Sequence, residues 1–194
     1  MKDKKKLILS FLLFFNILIA AESSYPLPEN MPLHTKILWG EKGFVRLTGL
    51  APKNRIDELK LRTTMLQLHQ KLALITWASF AYQSFIGNQL VNGNYENFDI
   101  HKKLSVPVWS MYMGSASLSY FAPPGLRYSK KFDSMKLHRW LSYLHFSGMA
   151  MIPILGKNIA QSTNYQQAVE LHQRVALATL FSMSLSAILT FLPY

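Results

Sequence analysis

The chain has 194 residues, no cysteine, six histidines, and 21 Lys and Arg against 10 Asp and Glu, for a net charge of +11. That length allows one domain, and the missing thiols exclude a disulfide-stapled fold, a cysteine-ligated zinc or iron–sulfur site and a thiol nucleophile. The basic balance invites a nucleic-acid reading, but the apolar residues gather into runs beyond residue 64, so a membrane protein with basic rims is expected and a nucleic-acid partner is not.

Residues 1–6, MKDKKK, precede the apolar run LILSFLLFFNILIAA at 7–21, which ends at the polar Glu22 and Ser23. A basic head and an apolar run of this length describe a signal peptide over residues 1–23. The run is shorter than the roughly 20 residues of a spanning helix, and a retained signal anchor is the alternative. Either way residue 25 onward is sent outward, and the expected location is a multi-pass protein of a bacterial inner (plasma) membrane with its mature N-terminus outside. Residues 24–64 are expected to be an extramembrane, interfacial segment. Pro26, Pro28, Pro32 and Pro52 argue against helix there, and Trp39 and Phe44 suit the bilayer surface, where such rings prefer to sit. Asn54 is a good N-cap, with Asp57 and Glu58 placed for the first turn of a helix that runs on into the apolar region.

Residues 65–194 form the expected transmembrane domain. Its four apolar segments are Leu72 to Val91, Leu104 to Pro123, Trp140 to Leu155 and Val175 to Leu192. Each reaches spanning length once its flanking turn is counted. Short loops make consecutive helices antiparallel neighbours, so the predicted fold class is all-α, an integral membrane up-down four-helix bundle in contact with lipid. Pro107 and Pro153 fall inside spans, where membrane helices tolerate them. Met111, Met113, Met149, Met151 and Met183 read as packing residues.

The informative feature is what precedes each span. The entries are His69-Gln-Lys-Leu, His101-Lys-Lys-Leu, His138-Arg-Trp-Leu and His172-Gln-Arg-Val. Each has a histidine, a basic residue within two positions and an apolar residue at the third, at separations near one span plus one loop, a weak internal repeat. In an antiparallel ring of four helices, His69 and His138 lie at one face of the membrane on diagonal helices, and His101 with His172 at the other. Two imidazoles at one depth, facing across the bundle axis, can take both axial positions of an iron porphyrin. Two b-type haems are therefore expected, about 27 Å apart along the helices, with the four histidines as metal ligands. Lys71, Lys103, Arg139 and Arg174 follow the four histidines at interface depth, where they can pair with haem propionates or snorkel to headgroups.

A single interfacial histidine usually carries no cofactor, but four in register from six in the chain have odds of coincidence on the order of one in a thousand. Zinc fits two diagonal histidines without a carboxylate poorly, and copper more often recruits cysteine or methionine. His145, seven residues after His138, lies on the same helix face. It is an alternative ligand, a hydrogen-bonding neighbour of the porphyrin or a polar group in the bundle. His34 receives no role. Gly87, Gly114, Gly148 and Gly156 suit close helix packing and a flat macrocycle equally.

Four spans with a histidine in each, paired first with third and second with fourth, resemble the di-haem core of the cytochrome b-561 family. The stretches LHRWLSYLHFSGMAMIPILG at 137–156 and LHQRVALATLFSMSLSAIL at 171–189 look like that family's ligand helices. The resemblance covers residues 65–193 and implies His69 with His138 and His101 with His172 as ligand pairs. It also implies one-electron transfer across the membrane, with ferric or quinone reduction at a haem edge as the net activity. No ascorbate-binding motif is recognised, so the donor and acceptor stay open among quinol, an ascorbate-like reductant and ferric iron; a homodimer or a partner redox subunit is compatible. The rival is a cofactor-free membrane subunit whose histidine layers serve as polar helix contacts or a proton path. Orientation is set here by the export signal, although Arg127, Lys130, Lys131 and Lys136 in the loop this places outside run against the positive-inside rule.

Overall fold

The computed structural model describes residues 25–191; the expected signal peptide at 1–23 and the far end of the fourth apolar segment lie outside them. The described residues are all-helical, without strands. In chain order they form α1 (Leu33–Trp39), α2 (Phe44–Leu47), α3 (Arg55–Val91), a 3-10 turn (Tyr95–Asn97), α4 (Phe98–Tyr120), α5 (Ser134–Ile159) and α6 (Tyr165–Leu189).

The two short helices correct the expectation of a helix-free segment before residue 54. Pro26, Pro28 and Pro32 all precede α1, with Pro32 immediately before its first residue, and Pro52 follows α2. The prolines therefore bracket a stretch that is free to coil. The start of α3 is as expected: the Asn54 side chain accepts from the Asp57 amide, and Asp57 and Glu58 occupy the first turn. Asp133 and Asn164 cap α5 and α6 in the same way.

The four long helices run antiparallel to their neighbours. His69 near the middle of α3 meets Ser115 near the end of α4, and His138 at the start of α5 meets Ser186 near the end of α6. Asn88 at the end of α3 bonds Gln173 early in α6, while Tyr112 of α4 bonds His145 of α5. The extensive pairs are α5 with α6 and α3 with α4; α3 with α6 is slighter and α4 with α5 the thinnest. The molecule is thus two helical hairpins laid side by side. Gly148 shows how closely the second hairpin is drawn together: a Cβ there would overlap the Thr179 side chain.

Polar side chains share the interior with apolar ones, and large apolar side chains stand exposed. Phe80, Val108, Tyr112, Met149 and Met183 form a small apolar cluster, but Thr76, Gln83, Ser115, Thr179, Ser182 and Ser186 are buried beside it. The outer faces carry Ile75 and Phe85 on α3, Val106 on α4, Leu144 and Ile154 on α5, and Phe181 and Ile188 on α6, all exposed. Among the described residues, no helix is long and apolar enough to cross a membrane. The expectation that each of the four apolar segments reaches spanning length is therefore not met by the helices as folded.

At one end of the bundle, α1, α2 and the loop after α4 knit together. Glu58, 1% exposed, is paired to Arg46 at 2.7 Å and to Arg55 at 2.8 Å. Arg55 also donates to the Pro124 and Gly125 carbonyls, Arg62 to that of Pro123, and the buried Trp39 indole to that of Phe121. Trp39 thus packs inside this end rather than lying on a surface.

Candidate functional site

His69 sits midway along α3, and His101, His138 and His172 sit in the early turns of their helices. Antiparallel packing sorts them into two layers. The His69–His138 layer is at the end covered by α1 and α2, and the His101–His172 layer is at the other. His101 and Ser115, the partner of His69, are both on α4 and place the layers about 21 Å apart; His69 and Gly87 on α3 give about 27 Å.

In the first layer both imidazoles are held in the same way. His69 Nδ1 lies 2.9 Å from the Ser115 carbonyl oxygen and 3.1 Å from its hydroxyl. His138 Nδ1 lies 2.8 Å from the carbonyl oxygen of Ser186 and 2.8 Å from its hydroxyl. A carbonyl only accepts, so Nδ1 carries the proton and donates, which leaves the Nε2 lone pair of each ring free for a Lewis acid. Each serine hydroxyl also reaches back to the carbonyl of its own histidine.

In the second layer the imidazoles of His101 and His172 meet directly, with centroids 6.4 Å apart and planes at 82°. Two imidazoles bound in line to one metal, with metal–nitrogen distances of ~2.0 Å, would place their centroids about 6.3 Å apart. The Gln83 side chain of α3 donates to the His101 carbonyl at 2.6 Å, and the Nδ1 atoms of both rings are buried and unpaired. A buried polar nitrogen without a partner is costly. Against each ring lies a glycine. A Cβ on Gly87 would come within 2.9 Å of His101 Cε1, and one on Gly156 within 3.2 Å of His172 Cε1.

These secondary residues were not singled out as ring supports by the sequence reading, yet a signal for them exists. An offset of 69 to 71 residues carries His69, Gly87, His101 and Ser115 onto His138, Gly156, His172 and Ser186. The same offset carries Gln83 onto Ile152. Each hairpin therefore contributes one histidine to each layer, one serine to the first and one glycine to the second.

The cations expected to follow the histidines fare differently. Lys71 and Lys103 are exposed, and Arg174 is exposed and paired to Glu170 at 3.3 Å. Arg139 is half-buried. His34 stacks on Tyr120 at 4.7 Å; burial first, and then the Arg139 guanidinium, lower its proton affinity. His145 does not join a metal cluster: its Nδ1 is 2.6 Å from the Tyr112 hydroxyl, near His69 and His138. Among the described residues, no group of three or more His, Asp or Glu is arranged to hold a metal ion. The layers are pairs, the donor set of an axial ligand site and too few for a protein-only zinc centre.

Comparisons with protein-family models, with curated proteins and with solved structures returned no match.

Proposed function

We propose that this chain is an integral membrane b-type cytochrome that carries electrons between two bis-histidine haems, one near each leaflet. His69 with His138 and His101 with His172 are the ligand pairs in this reading. The observation that carries it is the meeting of His101 and His172 at a centroid separation suited to one intervening metal, with glycines against both rings. Bis-histidine haem supplies one-electron chemistry when bound. The protein's own part is to orient and insulate. Ser115 and Ser186 fix the tautomer and direction of the first pair, Gly87 and Gly156 leave room beside the second, and the apolar cluster of Phe80, Val108 and Met183 keeps water from the space between the layers.

Membrane insertion is supported by the many large apolar side chains left exposed on the long helices. A soluble protein rarely leaves large apolar patches uncovered, whereas a bilayer covers them without cost, and polar side chains then turn inward to bond between helices. A helix of this kind averages an apolar outer face against a polar inner one, so its mean hydropathy understates its fit to lipid. In this reading the layer capped by α1 and α2 faces outward across a bacterial inner membrane, and quinol, an ascorbate-like reductant or ferric iron are the classes of redox partner. The resemblance to the cytochrome b-561 family is part of this proposal. The cofactor-free alternative draws support from the first layer, whose histidines already bond across helices, but it gives no role to the facing of His101 and His172 in the second.

The test is a visible spectrum of the full chain purified in detergent from haem-replete cells. Two haems per chain by pyridine haemochrome, with sharp α and β bands on reduction, are expected. His101→Ala should remove one haem and keep the other. A colourless wild-type preparation refutes the proposal, and retention of both haems in His101→Ala refutes the pairing.

A further inference from the structure

Tyr112 and His145 are titratable groups of the bundle that neither layer uses. The Tyr112 hydroxyl oxygen stands 2.6 Å from His145 Nδ1, and the two rings meet edge to face at 86° with centroids 5.7 Å apart. Tyr112 is buried in the apolar cluster with Phe80, Val108, Met149 and Met183. The bond joins α4 to α5, and so one hairpin to the other. The fold does not need a bonded pair at this position. The offset that relates the two hairpins carries Tyr112 onto Met183 and Thr76 onto His145, so the matching place where α6 meets α3 holds a methionine and a threonine. That threonine is buried and donates to the Leu72 carbonyl of its own helix. Packing is thus satisfied there without a bond between hairpins, whereas a hydroxyl and an imidazole set among apolar groups must answer one another.

Its place in the bundle gives the pair a use. Each layer takes one histidine from each hairpin, so the gap between its two rings depends on how the hairpins are held together. In the first layer His69 is fixed to α4 through Ser115, three residues from Tyr112. His138 is on α5, on the face that His145 occupies two turns deeper. The run His69, Ser115, Tyr112, His145, His138 therefore crosses the junction by a single hydrogen bond. Among the described residues three other hydrogen bonds join the long helices of the two hairpins. Asn88 with Gln173 is beside the second layer, Trp77 with Ser184 is exposed, and Trp109 with the Met149 carbonyl is one turn further from the first layer than Tyr112.

We infer that Tyr112 and His145 are positioning residues: their hydrogen bond is a strut across the hairpin junction that sets the separation of His69 and His138, and with it the grip of that pair on a metal. This rests on the haem reading of the first layer. Hydrogen bonds that orient metal ligands from behind are worth roughly 10- to 100-fold in metal affinity.

The full chain loaded with haem is compared with three variants. Tyr112→Phe removes the hydroxyl, His145→Asn keeps a hydrogen-bonding atom where Nδ1 stands, and Trp109→Phe removes the neighbouring bond between the same two helices. The first readout is the rate at which carbon monoxide displaces a histidine from the reduced protein. The second is the distance distribution between spin labels at Gln70→Cys and Trp140→Cys, exposed positions beside His69 and His138 in a chain with no cysteine of its own. A strut predicts that Tyr112→Phe speeds displacement about tenfold at one haem of the two and broadens the label distances. His145→Asn should stay near wild type, and Trp109→Phe should move neither readout. His145→Leu, which takes the bond away from the other side, should repeat Tyr112→Phe. Unchanged displacement in Tyr112→Phe overturns the proposal, and so does an equal effect of Trp109→Phe, which would make the bond ordinary helix packing. Wild-type protein that binds no haem refutes the parent reading instead. The strut is then judged by the labels alone: it stands if Tyr112→Phe broadens their distances and Trp109→Phe does not, and falls otherwise.

Discussion

Replacing Gly87 with alanine tests the second layer through a sign. In a helix interior Gly→Ala stabilises by about 1 kcal/mol, because glycine has more backbone freedom to lose. Gly114 shows the unopposed case: its Cβ would meet only Leu72 Cδ2 at 3.6 Å, an ordinary contact. At Gly87 the new methyl would stand 2.9 Å from His101 Cε1, so the ring must retreat by ~0.5 Å to reach normal contact, in a packed interior where overfilling costs about 1–3 kcal/mol. Gly156 is intermediate, with 3.2 Å to His172 Cε1. The expected order of stability is Gly114→Ala above wild type by about 1 kcal/mol, Gly156→Ala near wild type, and Gly87→Ala below it by about 1 kcal/mol. Unfolding in mixed detergent micelles, followed by far-ultraviolet circular dichroism, reads this order. Pyridine haemochrome on the same samples should show Gly87→Ala short of one haem, since a ligand ring displaced by a quarter of a metal–nitrogen bond no longer coordinates well. If Gly87→Ala is as stable as Gly114→Ala and holds two haems, the ring does not sit where the argument needs it.

Glu58→Ala leaves Arg46 and Arg55 buried or half-buried without their shared carboxylate; loss of a partner from such a group costs about 3–5 kcal/mol, read as a lowered unfolding midpoint and faster proteolysis within residues 25–54. Ser186→Ala removes the hydroxyl but keeps the carbonyl that accepts from His138, so a loss of about 1 kcal/mol with both haems retained is expected; loss of a haem would mean that the hydroxyl, not the backbone, sets the ring. Gly148→Leu drives a side chain into Thr179 at the most extensive helix pair and should cost about 3 kcal/mol or more, visible as poor recovery of folded protein from the membrane.

The helices and the histidine positions were legible in the chain because both are local properties. Asn54 followed by two acids starts a helix whatever it packs against, and a His-basic-apolar entry before an apolar run can be counted along the sequence. The short helices α1 and α2 were misjudged because proline density was taken over the whole segment, whereas the structure depends on the proline-free stretch between Pro32 and Pro52. The pairing of His69 with Ser115 and of His138 with Ser186, and the glycines against His101 and His172, belong to the tertiary structure. Each joins different helices, and the relative rotation of two helices is set by how their side chains interlock, a quantity no single helix carries. Which polar residues turn inward, Thr76, Ser115, Thr179 and Ser186 among them, became visible only once the helices had been rotated into place, since along the chain both faces are averaged together.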